Sequence, residues 1–294
     1  MIDKTRRNIL KTGFIGAVAG STVISGLGGL CKIKEAKADT SEHPYRYPAE
    51  GLNINDTRQL AYYSLKGIAV TGHSGCAFAT FHAIISQLAD AETNGEVDKY
   101  GDFLGPYSQI PTQMMEWGAG GVADYGSICG TLNGACAAIG LICTNDQAKK
   151  IITYLLNWAA LSPLPTTPDY NVVNNSDIVT SIAGGNLCHM SVTNWCLAAG
   201  KASGSIERKE RCARLAADVA GTVVKLLNEV LNEDVELAQT SPAEATGCID
   251  CHSSSNSFDE GGFTMGKMDC TTCHIDLGKV GEEGHYLSLI KKPE

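Results

Sequence analysis

Two stretches near the C-terminus, Cys248-Ile249-Asp250-Cys251-His252 and Cys270-Thr271-Thr272-Cys273-His274, repeat the pattern C-x-x-C-H. Each can hold one haem c, because the two thiols are spaced for two thioether bonds and the adjoining imidazole can ligate the iron. The 18 residues between Cys251 and Cys270 also fit a zinc site of two C-x-x-C pairs. A histidine directly after each pair, on a chain that reads as exported, weighs for two haems. The short bridge between the hooks requires the two haems to lie close together.

The sixth iron ligand decides the chemistry. A second strong ligand makes an electron carrier, and an open position makes a substrate site. Outside the hooks the histidines are His43, His73, His82, His189 and His285. His189 stands among cysteines and aromatics in NLCHMSVTNWC and is the first choice as a distal ligand, with His73 second. Met265 and Met268, between the hooks, are alternative thioether ligands. No Ser/His/Asp set or carboxylate pair stands out, so a hydrolase has no support.

The hooks consume four of the twelve cysteines, and Cys31 falls in the leader described below. Seven remain: Cys76, Cys129, Cys136, Cys143, Cys188, Cys196 and Cys212. An odd number in an exported chain points away from simple disulfide pairing and toward a metal centre. Cys136 and Cys143, on a Gly/Ala-rich helix, read as core residues. Cys76 and Cys129 sit at or near helix starts. The helix dipole there is expected to lower the thiol pKa and favour the metal-binding thiolate.

The elements that must position these groups are mainly helical. Residues 1–38 read as a twin-arginine signal, with Arg6 and Arg7 ahead of a weakly apolar run and Ala36-Lys37-Ala38 before the cut. Its loss removes seven of 23 basic and two of 32 acidic residues, leaving 16 against 30. That acidity argues against nucleic acid or an anionic membrane as partner and suits a redox partner with a basic face. No later apolar run is long enough to span a membrane.

Residues 39–235 are expected to form a helical domain. Asp56 and Ser74 are candidate caps, and Gly95 a stop. Phe78, Phe81, Ile85 and Leu88 share one helix face. Gly126, Gly130 and Gly134 suit a helix packed closely on a neighbour. A long helix from Ser205 should bury Leu215, Val219, Val223, Leu226 and Val230 and keep its charges outside. Residues 236–294 are too poor in aliphatics to make their own core. They are expected to be a dihaem arm of little regular structure, organised by its haems.

NLCHMSVTNWC, the SIERKERCARLAADVA helix and the two hooks together resemble split-Soret cytochromes c, over nearly all of the mature chain. The helical part also resembles a class of redox proteins with four characteristic cysteines and a C-G-A-x-x-G motif. That motif is read here as Cys129-Gly130-Thr131-Leu132-Asn133-Gly134, with Thr131 in the alanine's place. The resemblance implies a homodimer with two stacked bis-histidine haems per chain, one axial histidine coming from the other subunit. It also implies a further iron centre, read as an iron–sulfur cluster, in the helical domain. Its ligands by position are Cys76, Cys129, one of Cys188 or Cys196, and Cys212. Cys196 is preferred, since Cys188 adjoins His189.

The expected function is periplasmic electron transfer. A redox enzyme acting on a small substrate, at the cluster or an open haem, is the alternative. Haem is attached outside the cytoplasm to an open chain, whereas the twin-arginine route carries folded proteins. A helical domain folded around its cluster, trailing an open haem arm, satisfies both. Changing Arg6 and Arg7 to lysine should therefore abolish export and haem loading, scored by haem staining of the periplasmic fraction. Normal haem content there would refute the route.

Overall fold

The computed structural model describes residues 45–173, 177–237, 248–253, 255–260, 262 and 264–272. The twin-arginine leader, His43, Cys273, His274 and His285 lie outside the described residues. The architecture is mainly α, as the sequence implies, and the described residues fall in one compact unit. Six helices make its body: α1 (Ile54–Leu65), α2 (Cys76–Thr93), α3 (Gly130–Ile142), α4 (Asn145–Leu161), α5 (Cys188–Ala199) and α6 (Ile206–Leu227). A short α7 (Cys248–His252) carries the first haem hook. Two antiparallel two-residue strands, β1 (Pro163–Leu164) and β2 (Ser181–Ile182), pin the loop between α4 and α5. Among the described residues no helix is long and apolar enough to cross a membrane.

α2 lies at the centre and packs on α1, α3 and α6. Its Phe78, Phe81, Ile85 and Leu88 are all buried, as their spacing requires. The helix starts differ from the sequence reading. Asn53, not Asp56, caps α1: its Oδ1 accepts from the amides of Asn55 and Asp56, at 2.9 and 3.1 Å. α2 begins after Gly75, whose φ of +125° a side chain at Ser74 does not replace. α4 carries a capping box between Thr144 and Gln147.

α3 touches α2 backbone to backbone. A Cβ on Gly134 would collide with the carbonyl oxygen of Ala77, and one on Gly130 would lie 2.7 Å from Cβ of Cys76. Gly126 is different: it precedes the helix and has φ +72°.

α6 buries its apolar stripe but does not keep its charges outside. Glu210, Arg211, Arg214 and Asp218 are all buried. Most are compensated. Glu210 accepts from Tyr62 Oη at 2.9 Å, Lys66 Nζ at 3.0 Å and Arg214 Nε at 3.0 Å. Asp218 accepts from Arg58 at 3.0 Å and the Thr166 amide at 2.7 Å. Helix periodicity cannot tell a solvated charge from one paired inside.

The close approach of α2 and α3 yields a stability test. Gly134→Ala should cost about 1–3 kcal/mol, because the added methyl meets backbone that cannot rotate away. Urea unfolding of the purified protein measures it. A change under about 0.5 kcal/mol would show that the helices part freely.

Candidate metal centre

Four segments bring four sulfurs together. Cys76 is the first residue of α2, and Cys129 is the N-cap of α3. Cys188 opens α5, and Cys212 lies in the second turn of α6. An isolated antiparallel bridge between Ile128 and Leu187 sets Cys129 beside Cys188. The Cys129 amide donates to Asn186 O at 2.8 Å, and the Cys188 amide to Ser127 O at 2.6 Å. Gly130 is what lets Cys76 approach. Gly121 does the same for Cys188, since a Cβ there would stand 2.7 Å from Cβ of Cys188.

The loop over the site is left-handed. Residues 120–124, Gly-Gly-Val-Ala-Asp, all have positive φ, between 47° and 72°. Three of them are not glycine, which is strain that a functional loop commonly carries. The loop delivers the Gly120 amide to the Cys76 sulfur. On the other side, the guanidinium groups of Arg208 and Arg211 approach the Cys212 sulfur at 3.9 and 4.0 Å.

The sulfurs sense one another. Burial pushes the Cys76 thiol well up, and Cys212, Cys129 and Cys188 push it further. Burial, then Cys129 and Cys212, raises Cys188 to about 11, against the pull of Arg208 and Arg211. The expected lowering of the Cys76 thiol at its helix start is therefore overturned. Desolvation and neighbouring sulfurs outweigh the dipole.

These residues fit an iron centre. The donors are all sulfur, the choice of soft metals and of iron–sulfur chemistry. Cys129 and Cys212 are buried and Cys76 and Cys188 partly so, and thiols this sheltered do not ionise together unless a cation replaces their protons. Among the described residues, no group of three His, Cys, Asp or Glu is placed to hold a single metal ion. One tetrahedral ion would need the sulfurs within about 4 Å of each other. A centre of several irons divides its thiolates among them and tolerates the wider spacing.

Cys196 does not join this group. It lies two turns beyond Cys188, so it is displaced by about 12 Å along α5 and turned by about 80°. It borders a shallow surface groove with Leu197 and Lys201. The preference for Cys196 differs from this grouping, which places Cys188 and not Cys196 with Cys76, Cys129 and Cys212. Adjacent helix positions point about 100° apart, so Cys188 can face the sulfurs while His189 is exposed. Cys136 is half-buried within α3, pushed to about 11 by burial alone, and Cys143 is buried in the main core.

The first cysteines of the two hooks lie close together. Burial and the neighbouring Cys248 thiol raise the Cys270 thiol, and the two sulfurs are within hydrogen-bonding reach. Cys251 and His252 belong to α7 with Cys248. The segment that leads into the second hook rests on the helical body. A Cβ on Gly185 would stand 2.7 Å from Cε of Met190 and 3.5 Å from Cε of Met268, and Lys267 donates to Thr153 Oγ1 at 3.4 Å. Met190, in the first turn of α5, therefore lies beside Met268, two residues before the second hook. His73 is half-exposed, with Nδ1 2.6 Å from Oε1 of Glu116.

A helical body with a buried four-sulfur site and a hook-bearing arm defines a cysteine-rich redox protein. The comparisons agree. Residues 100–226 match the family model described as "Putative redox-active protein (C_GCAxxG_C_C)". That span holds Cys129, Cys188 and Cys212, while Cys76 precedes it. The letters C-A-x-x-G also fit Cys136 to Gly140, but Cys136 stands apart from the four sulfurs. The split-Soret cytochrome c of Desulfovibrio desulfuricans ATCC 27774 is 28% identical over 277 residues, covering 88% of this chain and 91% of that protein. The solved structure of the split-Soret cytochrome c from that strain, described with a novel iron centre, superposes with a TM-score of 0.64. It is 30% identical and covers 76% of this chain and 88% of that one. The chain belongs to the split-Soret cytochrome c family.

The choice between the two cysteines of α5 can be measured. Cys188→Ser should lose the iron held beyond the haems, and Cys196→Ser should keep it. Iron per haem in the two purified variants decides it, and the reverse result would restore Cys196.

Proposed function

We propose that the protein is a periplasmic electron-transfer dihaem c-type cytochrome with an additional iron–sulfur centre. The observation that carries this reading is the first turn of α5. Cys188 faces Cys76, Cys129 and Cys212, while Met190, two residues on, packs with Met268 against Gly185 beside the second hook. One helical turn thus serves both sites. Haem and an iron–sulfur centre each supply one-electron redox change when bound.

The chain's own residues fix where that chemistry happens. Cys248 and Cys251 with His252, and Cys270 and Cys273 with His274, anchor and ligate the two haems c. Cys76, Cys129, Cys188 and Cys212 hold the second centre. His189 and His73 are the distal ligands, and either can act across a dimer. Glu116 suits His73 for that role: by accepting a hydrogen bond from Nδ1 it fixes the ring and leaves Nε2 as the iron-binding nitrogen. In a homodimer one of these histidines would ligate a haem of the partner subunit, and the acidic mature chain suits a redox partner with a basic face.

The test is the ratio of total iron to covalent haem in protein purified without oxygen, with acid-labile sulfide measured alongside. At least two irons per chain beyond the haems, with matching sulfide, are expected. One iron per haem would leave a plain dihaem carrier. Binding of carbon monoxide after reduction would favour an open haem and the enzyme reading.

A further inference from the structure

Arg211 is the one charge on the buried face of α6 that the described protein groups do not neutralise. Only 1% of it is exposed. Its Nη2 donates to Ser191 Oγ at 2.8 Å, and its Nη1 lies 4.0 Å from the Cys212 sulfur. No carboxylate among the described residues pairs with it, and its Nε has no hydrogen-bond acceptor. Glu210 is the adjacent acid on α6, yet it is taken up by Tyr62, Lys66 and Arg214.

Arg211 borders a small cavity together with Cys129, Thr131, Ser181 and Ser191. Ser181 Oγ is also unpaired there. A single water would satisfy those hydrogen bonds but not the charge. A buried, always-protonated guanidinium needs an anion near it. The groups it faces are sulfurs: Cys129 in the cavity wall, Cys212 beside Nη1, and Cys188, whose thiol it pulls down.

We propose that Arg211 is the internal counter-charge of the anionic centre held by Cys76, Cys129, Cys188 and Cys212, and that it sets the reduction potential of that centre. The inference rests on the centre proposed above. Four thiolates around iron and sulfide carry net negative charge, which grows by one on reduction. A fixed positive charge in low dielectric favours the reduced form more than the oxidised one, so it raises the potential. Arg208 also reaches the Cys212 sulfur, at 3.9 Å, but it is partly solvated and bonded to the Ser203 carbonyl, so Arg211 is the buried charge left to the centre.

The experiment compares Arg211→Gln and Arg211→Lys with the natural protein. Iron and sulfide per haem and the potential of the centre are measured, with the haems of the same molecule as internal reference. The Gln variant is expected to shift the centre to lower potential while the haems stay in place, and the Lys variant to stay near the natural value. Loss of iron from the Gln variant with retention by the Lys variant also supports the charge role. An unchanged potential in an iron-loaded Gln variant overturns it. Loss of iron from both variants, with circular dichroism intact, overturns it in favour of packing. Absence of extra iron from the natural protein refutes the centre itself, and that result is read before any variant is made.

Discussion

The structure depends on the absence of two side chains. Gly130 and Gly134 let the backbone of α3 run against the first turn of α2, at Cys76 and Ala77. Any larger residue would wedge the helices apart at the point where two of the four sulfurs originate. Close packing leaves little room to absorb such a wedge, because interiors are filled nearly as densely as organic crystals. The glycine spacing is therefore a requirement of the metal site as much as of the core.

Around that contact the chain adds its other donors by different means. A backbone bridge between Ile128 and Leu187 sets Cys129 beside Cys188. α6 brings Cys212 with two guanidinium groups. The left-handed loop of residues 120–124 closes over Cys76. Helix packing, strand-like pairing and a strained loop all converge on a group that carries no structural advantage of its own. Sheltered thiols and a guanidinium that no described carboxylate meets are costs, and the proposed anionic centre would offset both.

The arm follows another logic. Its described part has only short helical turns, and little aliphatic side-chain area is available to bury. Cys248 and Cys270 nevertheless lie next to each other, and the segment before the second hook rests on Gly185, Met190 and Thr153 of the helical body. The place where the arm docks is the same turn of α5 that supplies Cys188.

The sequence by itself determined the haem hooks, the mainly helical class, the apolar stripes of α2 and α6, and the glycine contact. These follow from local spacing, which fixes which residues share a face or flank a thiol. It narrowed the cysteine set to a few positions but could not choose between Cys188 and Cys196, because both lie on one helix and either spacing is acceptable locally. Only the tertiary structure decided that, through a bridge between segments some sixty residues apart. It also decided that four charges of α6 lie inside, since a helical wheel shows a charge's angle but not what waits opposite it. Arg211 stands out for the same reason: among the described residues no carboxylate meets its guanidinium, and that shows only in three dimensions.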